Sequence, residues 1–231
     1  MKINAVILAR TKSKGIPNKN MINFCGKPLL AWTIEQCLNS DNIGNVWVSS
    51  DGDDILNFSK KLGCLTIKRP ESLASDYSSS EDGWLHAIEH IEMNNKKTET
   101  IIVPQATSPL RKPEDFNNAI NTFFDEGLDS LFSCSTVKDL FFWKKNLTNK
   151  LESINYDYKN RSRRQVNQEQ YIENGSFYVF NTEMFKKVKN RFGNKIGISK
   201  MEFWQTFEID SMDDIKLCST IMENFLINQK S

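Results

Sequence analysis

No aspartate or glutamate precedes Glu35, although Lys2, Arg10, Lys12, Lys14, Lys19 and Lys27 all do. The chain also has no Cys-x-x-Cys pair. Its five cysteines (Cys25, Cys37, Cys64, Cys134 and Cys218) are odd in number and scattered. That argues against a disulfide frame or a zinc ribbon and for reduced thiols in a cytosolic protein. No apolar run approaches the roughly 18 residues of a membrane span. The N-terminal apolar stretch INAVIL is too short for a signal-peptide core and reads as a buried strand. Both phosphate-loop spellings, G-x-G-x-x-G and G-x-x-x-x-G-K-[ST], are missing, which removes the dinucleotide and Walker A readings. A net charge of +1 over 231 residues is too small for a basic nucleic-acid-binding domain. Neither nucleic acid nor membrane is expected as a partner. A local anion pocket, by contrast, needs only a cluster such as the acid-free N-terminal segment provides.

What the chain does have is alternation. Strands are expected at 3–8, 46–50, 65–70, 100–105, 129–135, 176–180 and 206–210. Helices are expected from Pro28, placed in a first helical turn, through LLAWTIEQCL, over DDILNFSKKLG, over 81–94, over PEDFNNAINTFFDEG, and over the C-terminal MDDIKLCSTIMENFL. Strands alternating with helices of this length imply βαβ crossovers, a largely parallel sheet and one α/β domain over 1–231. Ligands of such sheets sit at the carboxyl ends of the strands, so the loops after residues 8, 50, 67, 105 and 210 are the ones to read. Residues 138–171 break the pattern. They are polar and basic, with Phe141, Phe142 and Trp143 at one end, and are expected to form an inserted arm at a dimer contact.

The first of those loops, LARTKSKGIPNKN, sets Arg10, Ser13, Lys14, Lys19 and Asn20 around Gly15. Such a loop can aim cations and backbone N–H groups at one anion. By charge alone it reads equally well as a solvated surface loop. Its wording, however, resembles the N-terminal signature of the CMP-sialic acid synthetases, the acylneuraminate cytidylyltransferases: a strand running into A-R-x-x-S-K-G, then K-N. Thr11 and Lys12 stand where many members have two glycines, which stiffens the loop. Further segments resemble the family in the same order. RPESLASDYSS (69–79) is similar to its R-P-x-x-L-A-x-D loop, and QATSPLR (105–111) to its Q-P-T-S-P-L-R. RRQ (163–165) with YIENGSFY (171–178) resembles its sugar-side segment, and FEID (207–210) its acidic pair.

The resemblance implies a Rossmann-like nucleotidyltransferase fold and a reaction. CTP and a nine-carbon 2-keto sugar acid give a CMP-sugar and pyrophosphate, the anomeric hydroxyl attacking the α-phosphorus. It also implies site residues. Arg10, Ser13, Lys14 and Lys19 would hold the triphosphate, with Lys14, Lys19 and Asp210 catalytic. Asn20, Arg69, Ser78 and Ser80 would read cytosine and ribose. Gln105, Ser108, Arg164, Gln165, Tyr171, Asn174 and Phe177 would face the sugar acid. Asp210, with Glu208 beside it, would bind Mg²⁺, or Mn²⁺ in its place, since Mg²⁺ takes one or two carboxylates together with phosphate oxygens and water. On a strand, residues 208 and 210 share a face. The acids around Asp210 read as well as caps for the last helix. Ile172 and Glu173 stand where some bacterial members carry an arginine, which leaves N-acetylneuraminate, legionaminate and pseudaminate all open as substrates.

Two other spellings point elsewhere. His86-Ala-Ile-Glu89-His90 matches a zinc-protease H-x-x-E-H, but Trp84, Ile88 and Ile91 form the buried stripe of that helix, and both histidines are expected to face solvent. Asp51-Gly52-Asp53 spells the D-x-D of a metal-dependent glycosyltransferase, the rival enzymatic reading. Its bland alternative is acids at a helix start. A Kdo-type cytidylyltransferase is a nearer rival, which TSPLR and ENGSFY fit poorly. A non-enzymatic anion-binding module is the third.

Overall fold

The computed structural model describes residues 2–94, 97–137, 140–160 and 169–228. In chain order the elements are β1 (Ile3–Leu8), β2 (Asn23–Phe24), β3 (Lys27–Pro28), α1 (Leu29–Leu38), β4 (Ile43–Ser50), α2 (Asp53–Lys61), β5 (Leu65–Lys68) and α3 (Ser80–Asn94). There follow β6 (Thr100–Pro104), α4 (Pro113–Asp125), β7 (Ser130–Val137), β8 (Trp143–Lys145), β9 (Leu151–Ser153), β10 (Gln170–Asn181), α5 (Thr182–Val188), β11 (Ile196–Met201) and α6 (Met212–Met222). Seven strands form one sheet in the order β11-β7-β10-β6-β1-β4-β5. Every ladder is parallel except those of β10, which runs against both β6 and β7. The expected α/β class with a largely parallel sheet is therefore what the chain adopts.

The continuous apolar run of β1 is explained by burial on both faces. Ala5 and Ile7 join α1 residues Leu30 and Ile34 and α4 residues Phe116 and Phe123 on one side. Val6 joins Trp84, Ile88 and Ile91 of α3 on the other. The chain moves outward from β1 to β4 to β5, then returns to the far side of β1 as β6, and α3 accordingly crosses on the opposite face from α1. Right-handed crossovers require that change of face when direction reverses. The gap between β1 and β6 is thus a topological switch point, where open α/β sheets bind ligands.

Three expectations need correction. Residues 206–210 are not a strand. Phe203–Thr206 form a 3-10 turn and 207–209 are irregular. The alternation of Phe207 and Ile209 reflects burial against Cys218, Ile221 and Met222 of α6, not sheet pairing. Pro28 ends the short β2–β3 ladder, opposite Asn23, and α1 begins only at Leu29. The unanticipated strand β11 is a sheet edge held by β7 alone.

Within 138–171, β8 and β9 form an antiparallel hairpin between β7 and β10. Trp143 lies edge-on to Tyr156 at 5.8 Å and against Tyr158 at 5.1 Å. Phe142, Leu147, Leu151 and Ile154 remain exposed.

Candidate functional site

A cleft of about 610 Å³ opens at the carboxyl ends of β1, β5 and β6, closed on one side by residues 208–210. Its walls include Arg10, Ser13, Lys14, Lys19, Asn20, Arg69, Ser78 and Ser80, together with Gln105, Glu208 and Asp210. The cation set that the sequence points to is thus assembled in one place, from the loop after β1 and the loop after β5.

Close backbone approach holds the cleft in shape. A Cβ on Gly15 would lie 2.4 Å from the carbonyl oxygen of Asp210, so only glycine lets the loop after β1 lie against the acidic segment. Asn20 is buried and donates from Nδ2 to the Arg10 carbonyl at 2.9 Å, folding the loop back on itself. Lys19 donates from Nζ to Asp210 Oδ1 at 2.6 Å and to the Ile209 carbonyl at 3.0 Å.

Asp210 does not cap α6. Ser211 does so with its Oγ, and Asp214 Oδ2 accepts from the backbone N–H groups of Asp210 and Ser211 at 3.0 and 2.7 Å. The Asp210 carboxylate is left to Lys19 and the cleft. Although no strand aligns them, Glu208 and Asp210 both reach the cleft. Burial and the Asp210 charge push the Glu208 carboxyl above the usual carboxylate range, partly offset by the Thr107 hydroxyl at 3.3 Å.

Arg69 is 5% exposed, and its Nε has no hydrogen-bond partner among the described residues. Burial pushes its pKa down while the Asp51 charge opposes that. Arg69 thus brings a buried guanidinium, whose donors are set in a fixed fork, to the wall of the cleft. Ser79, between the two predicted serines, caps α3 by accepting from Asp82 N–H at 3.1 Å, and 78–80 bring that helix start to the cleft wall.

The sugar-side expectations divide. Gln105 lines the cleft. Asn174 is buried inside a bulge of β10, where its Oδ1 accepts from Ser133 Oγ at 2.6 Å and Ser176 N–H at 3.1 Å. Gly175, at φ +64°, makes the turn of that bulge beside the Gln105 amide. Phe177 is a core residue packed edge-on to Phe116 at 5.2 Å. Ser108 is buried, with its hydroxyl unpartnered among the described residues. Tyr171 sits away from the cleft at the arm base, donating to Glu169 beneath Lys200. Asn174, Phe177, Ser108 and Tyr171 do not line the cleft. Arg164 and Gln165 lie outside the described residues.

The D-x-D reading is not supported by the geometry. Asp51 accepts from Thr11 N–H at 2.9 Å and from its hydroxyl at 2.5 Å, and Asp53 pairs with Lys68 on the surface. Neither lines the cleft. Burial works against the Asp51 charge, but the Thr11 bonds and Arg69 outweigh it and hold that carboxyl low. Asp51 therefore anchors the loop after β1. The histidines are half-buried, not solvent-facing: burial pushes His86 down, and His90 meets Trp47 edge-on at 6.2 Å. Among the described residues no three His, Cys, Asp or Glu side chains gather to hold a metal.

Sequence reasoning missed three residues. Trp84 looks like plain core but also forms cleft wall, with Arg191 lying 4.6 Å over its ring. Asp76 faces Arg10 and Lys14 across the cleft. Arg111, 2% exposed, is the buried clamp under the site. It donates to the carbonyls of Gln105 at 3.0 Å and Ser176 at 2.5 Å, to Thr33 Oγ1 at 2.6 Å and to Gln36 Oε1 at 3.2 Å. Asp76 and Arg111 stand inside quoted motif segments, so a signal was present. What they touch was not readable.

Comparison with known proteins places these features in a family. A family model described as Cytidylyltransferase matches residues 4–230. An N-acylneuraminate cytidylyltransferase of Oncorhynchus mykiss is 36% identical over 77% of this chain. A pseudaminic acid cytidylyltransferase of Campylobacter jejuni is 28% identical over the whole chain and 99% of its own length. The chain spans 41% of the length of the trout relative. In fold, it matches a CMP:2-keto-3-deoxy-manno-octonic acid synthetase complexed with CTP, with a TM-score of 0.73 over 98% of this chain and all of that one at 15% identity.

Proposed function

Because the chain belongs to the cytidylyltransferase family, we propose that it transfers CMP from CTP to the anomeric hydroxyl of a sialic acid or related nine-carbon 2-keto sugar acid. The hydroxyl oxygen bonds to the α-phosphorus, the bond to the bridging oxygen breaks, pyrophosphate leaves and the hydroxyl proton is released. The observation that carries this is the convergence of Arg10, Lys14, Lys19 and Arg69 on one cleft at the β1–β6 switch point, with Asp210 and Glu208 at its edge. The relatives named for N-acylneuraminate and for pseudaminic acid support that substrate class.

In this reading Arg10, Ser13, Lys14 and Lys19 hold the phosphate chain. Lys14 and Lys19 offset the charge that grows on the departing pyrophosphate, as fixed cations do in phosphoryl-type transfer. Asn20, Arg69, Ser78 and Ser80 hold the nucleoside, and Arg69 supplies fork-like donors to a pyrimidine carbonyl. Gln105 and the adjoining bulge of β10 bound the sugar side.

A divalent cation, Mg²⁺ or Mn²⁺, fits the acidic pair. The Glu208 carboxyl is pushed up by burial and by Asp210, a mutual repulsion that a cation would relieve. Two carboxylates with phosphate oxygens and water make a normal Mg²⁺ set. Asp210 and Glu208 would hold the ion, which when bound supplies charge neutralisation of the phosphate oxygens.

The test is pyrophosphate release from CTP against a panel of 2-keto sugar acids. Release that depends on a nine-carbon acid is expected. Release with an eight-carbon acid alone assigns the chain to the Kdo type, and no release with any acid removes the reading.

The protein is further proposed to be one cytoplasmic domain that dimerises through the arm. Its cysteines are all free thiols, and among the described residues no helix is long and apolar enough to cross a membrane. Phe142, Leu151 and Ile154 expose apolar surface on the β8–β9 hairpin, the kind of patch that marks an interface. Phe142→Ser with Leu151→Asp is expected to give a folded monomer by light scattering at micromolar concentration, against a wild-type dimer. A double variant that remains dimeric assigns the interface elsewhere.

A further inference from the structure

The segment between β5 and α3 is organised largely by its own contacts. Leu73 and Ala74 N–H groups donate to the carbonyls of Pro70 and Glu71 at 3.0 and 2.9 Å. Ser78 Oγ donates to the Ser72 carbonyl at 2.7 Å and lies 2.8 Å from Ser75 Oγ. Tyr77 at its tip is 98% exposed. Among the described residues, its side-chain ties to the loop after β1 are few. Asp76 Oδ1 accepts from Arg10 Nη1 at 2.8 Å, Asp76 Oδ2 lies 3.3 Å from Lys14 Nζ, and Lys14 stands 6.0 Å from the Tyr77 ring. Asp76 is thus a monoanion seated on two of the cations that face the cleft.

We propose that Asp76 is a built-in competitor for the phosphate chain, holding Arg10 and Lys14 until a polyphosphate displaces it and returning to them as pyrophosphate departs. This rests on the nucleotide reading of the cleft given above. The chemistry is one of charge number. A carboxylate offers one negative charge and is tethered, so a free monoanion gains little by replacing it. A triphosphate or pyrophosphate carries several charges and can engage both cations at once. Asp76 therefore sets a threshold that admits polyphosphates and turns away single small anions. Both pairs are partly exposed, so the competition is modest and easily reversed.

Asp76→Asn keeps the shape and removes the charge on an exposed loop. Wild type and variant are titrated calorimetrically, without metal and at low salt, with pyrophosphate, CTP and cytidine. Pyrophosphate and CTP are expected to bind the variant about 2- to 30-fold more tightly, while cytidine, which lacks phosphate, binds both proteins alike. Unchanged or weaker pyrophosphate binding in a variant that melts like wild type overturns the proposal. So does tightening that extends equally to cytidine. Pyrophosphate reads Asp76 whether or not any sugar acid is turned over, so failure here is distinct from failure of the proposed transfer reaction, which would show as wild type releasing no pyrophosphate from CTP.

Discussion

Asp210→Asn is expected to lower turnover by about 10²–10³-fold while leaving the fold intact. Asparagine keeps the size and one carbonyl oxygen but not the charge that Mg²⁺ requires. A helix-capping role would predict the reverse, activity kept and some stability lost. The structure already weakens that alternative, because Ser211 and Asp214 supply the cap of α6. The Glu208 carboxyl sharpens the forecast. Its folded pKa is raised, by burial first and by Asp210 second. A carboxyl raised on folding binds more protons in the native state, so it costs stability as pH climbs through and above the ordinary carboxylate range. Removing the Asp210 charge relieves part of that cost, which offsets the lost Lys19 pair. Near neutral pH the variant should therefore melt close to wild type, and excess Mg²⁺ should restore part of the activity. Full activity in the asparagine variant at low Mg²⁺ would take Asp210 out of the mechanism.

Arg111→Met is expected to produce the largest loss of stability of any single change considered, about 3–5 kcal/mol by urea unfolding. Buried polar groups stripped of partners cost roughly 1–3 kcal/mol each. This change strands Thr33 Oγ1 and Gln36 Oε1, and it takes the second donor from the Gln105 and Ser176 carbonyls, which keep the N–H groups of Ser108 and Gln105. Against a total of roughly 5–15 kcal/mol for a domain, that is a large share. Burial, opposed by Cys37 and Asp115, pushes the Arg111 pKa down to about 10, so the guanidinium stays charged at neutral pH. Arg111→Lys restores the charge but not the fork and should recover only part of the loss. The same change loosens Gln105 and the β10 bulge, so KM for the sugar acid should rise more than KM for CTP. A methionine variant with the wild-type urea midpoint would show that these contacts carry no net stability.

Much of this was legible because it is written locally. The INAVIL run, the 3.6-residue stripes of α3 and α4, and the crowd of cations around Gly15 each announce themselves within a dozen residues. Strand β11 did not, because a parallel edge strand of Ile-Gly-Ile-Ser-Lys-Met lacks a continuous apolar run. The 206–210 segment was misread because burial against a helix imitates the alternation of a half-buried strand. Asp76 and Arg111 escaped for another reason. The Arg10–Asp76 pair spans 66 positions and the Arg111–Thr33 bond 78, and no local pattern encodes which distant loop a side chain will meet. The sugar-side set was read from a motif whose Asn174 and Phe177 carry structure instead, building the bulge and the core beneath it.

The contact beneath the loop after β1 also constrains how this sequence can change over time. A Cβ on Gly52 would fall 2.1 Å from the Thr11 methyl, while the Thr11 hydroxyl and N–H are held by Asp51. Position 52 must therefore be glycine whenever position 11 is threonine. Glycine at 11 would remove the methyl and leave only the Asp54 Oδ1, 2.6 Å from that Cβ, to move aside. The two positions are therefore coupled through one contact, and Gly52→Ala is expected to cost less stability beside Thr11→Gly than beside Thr11.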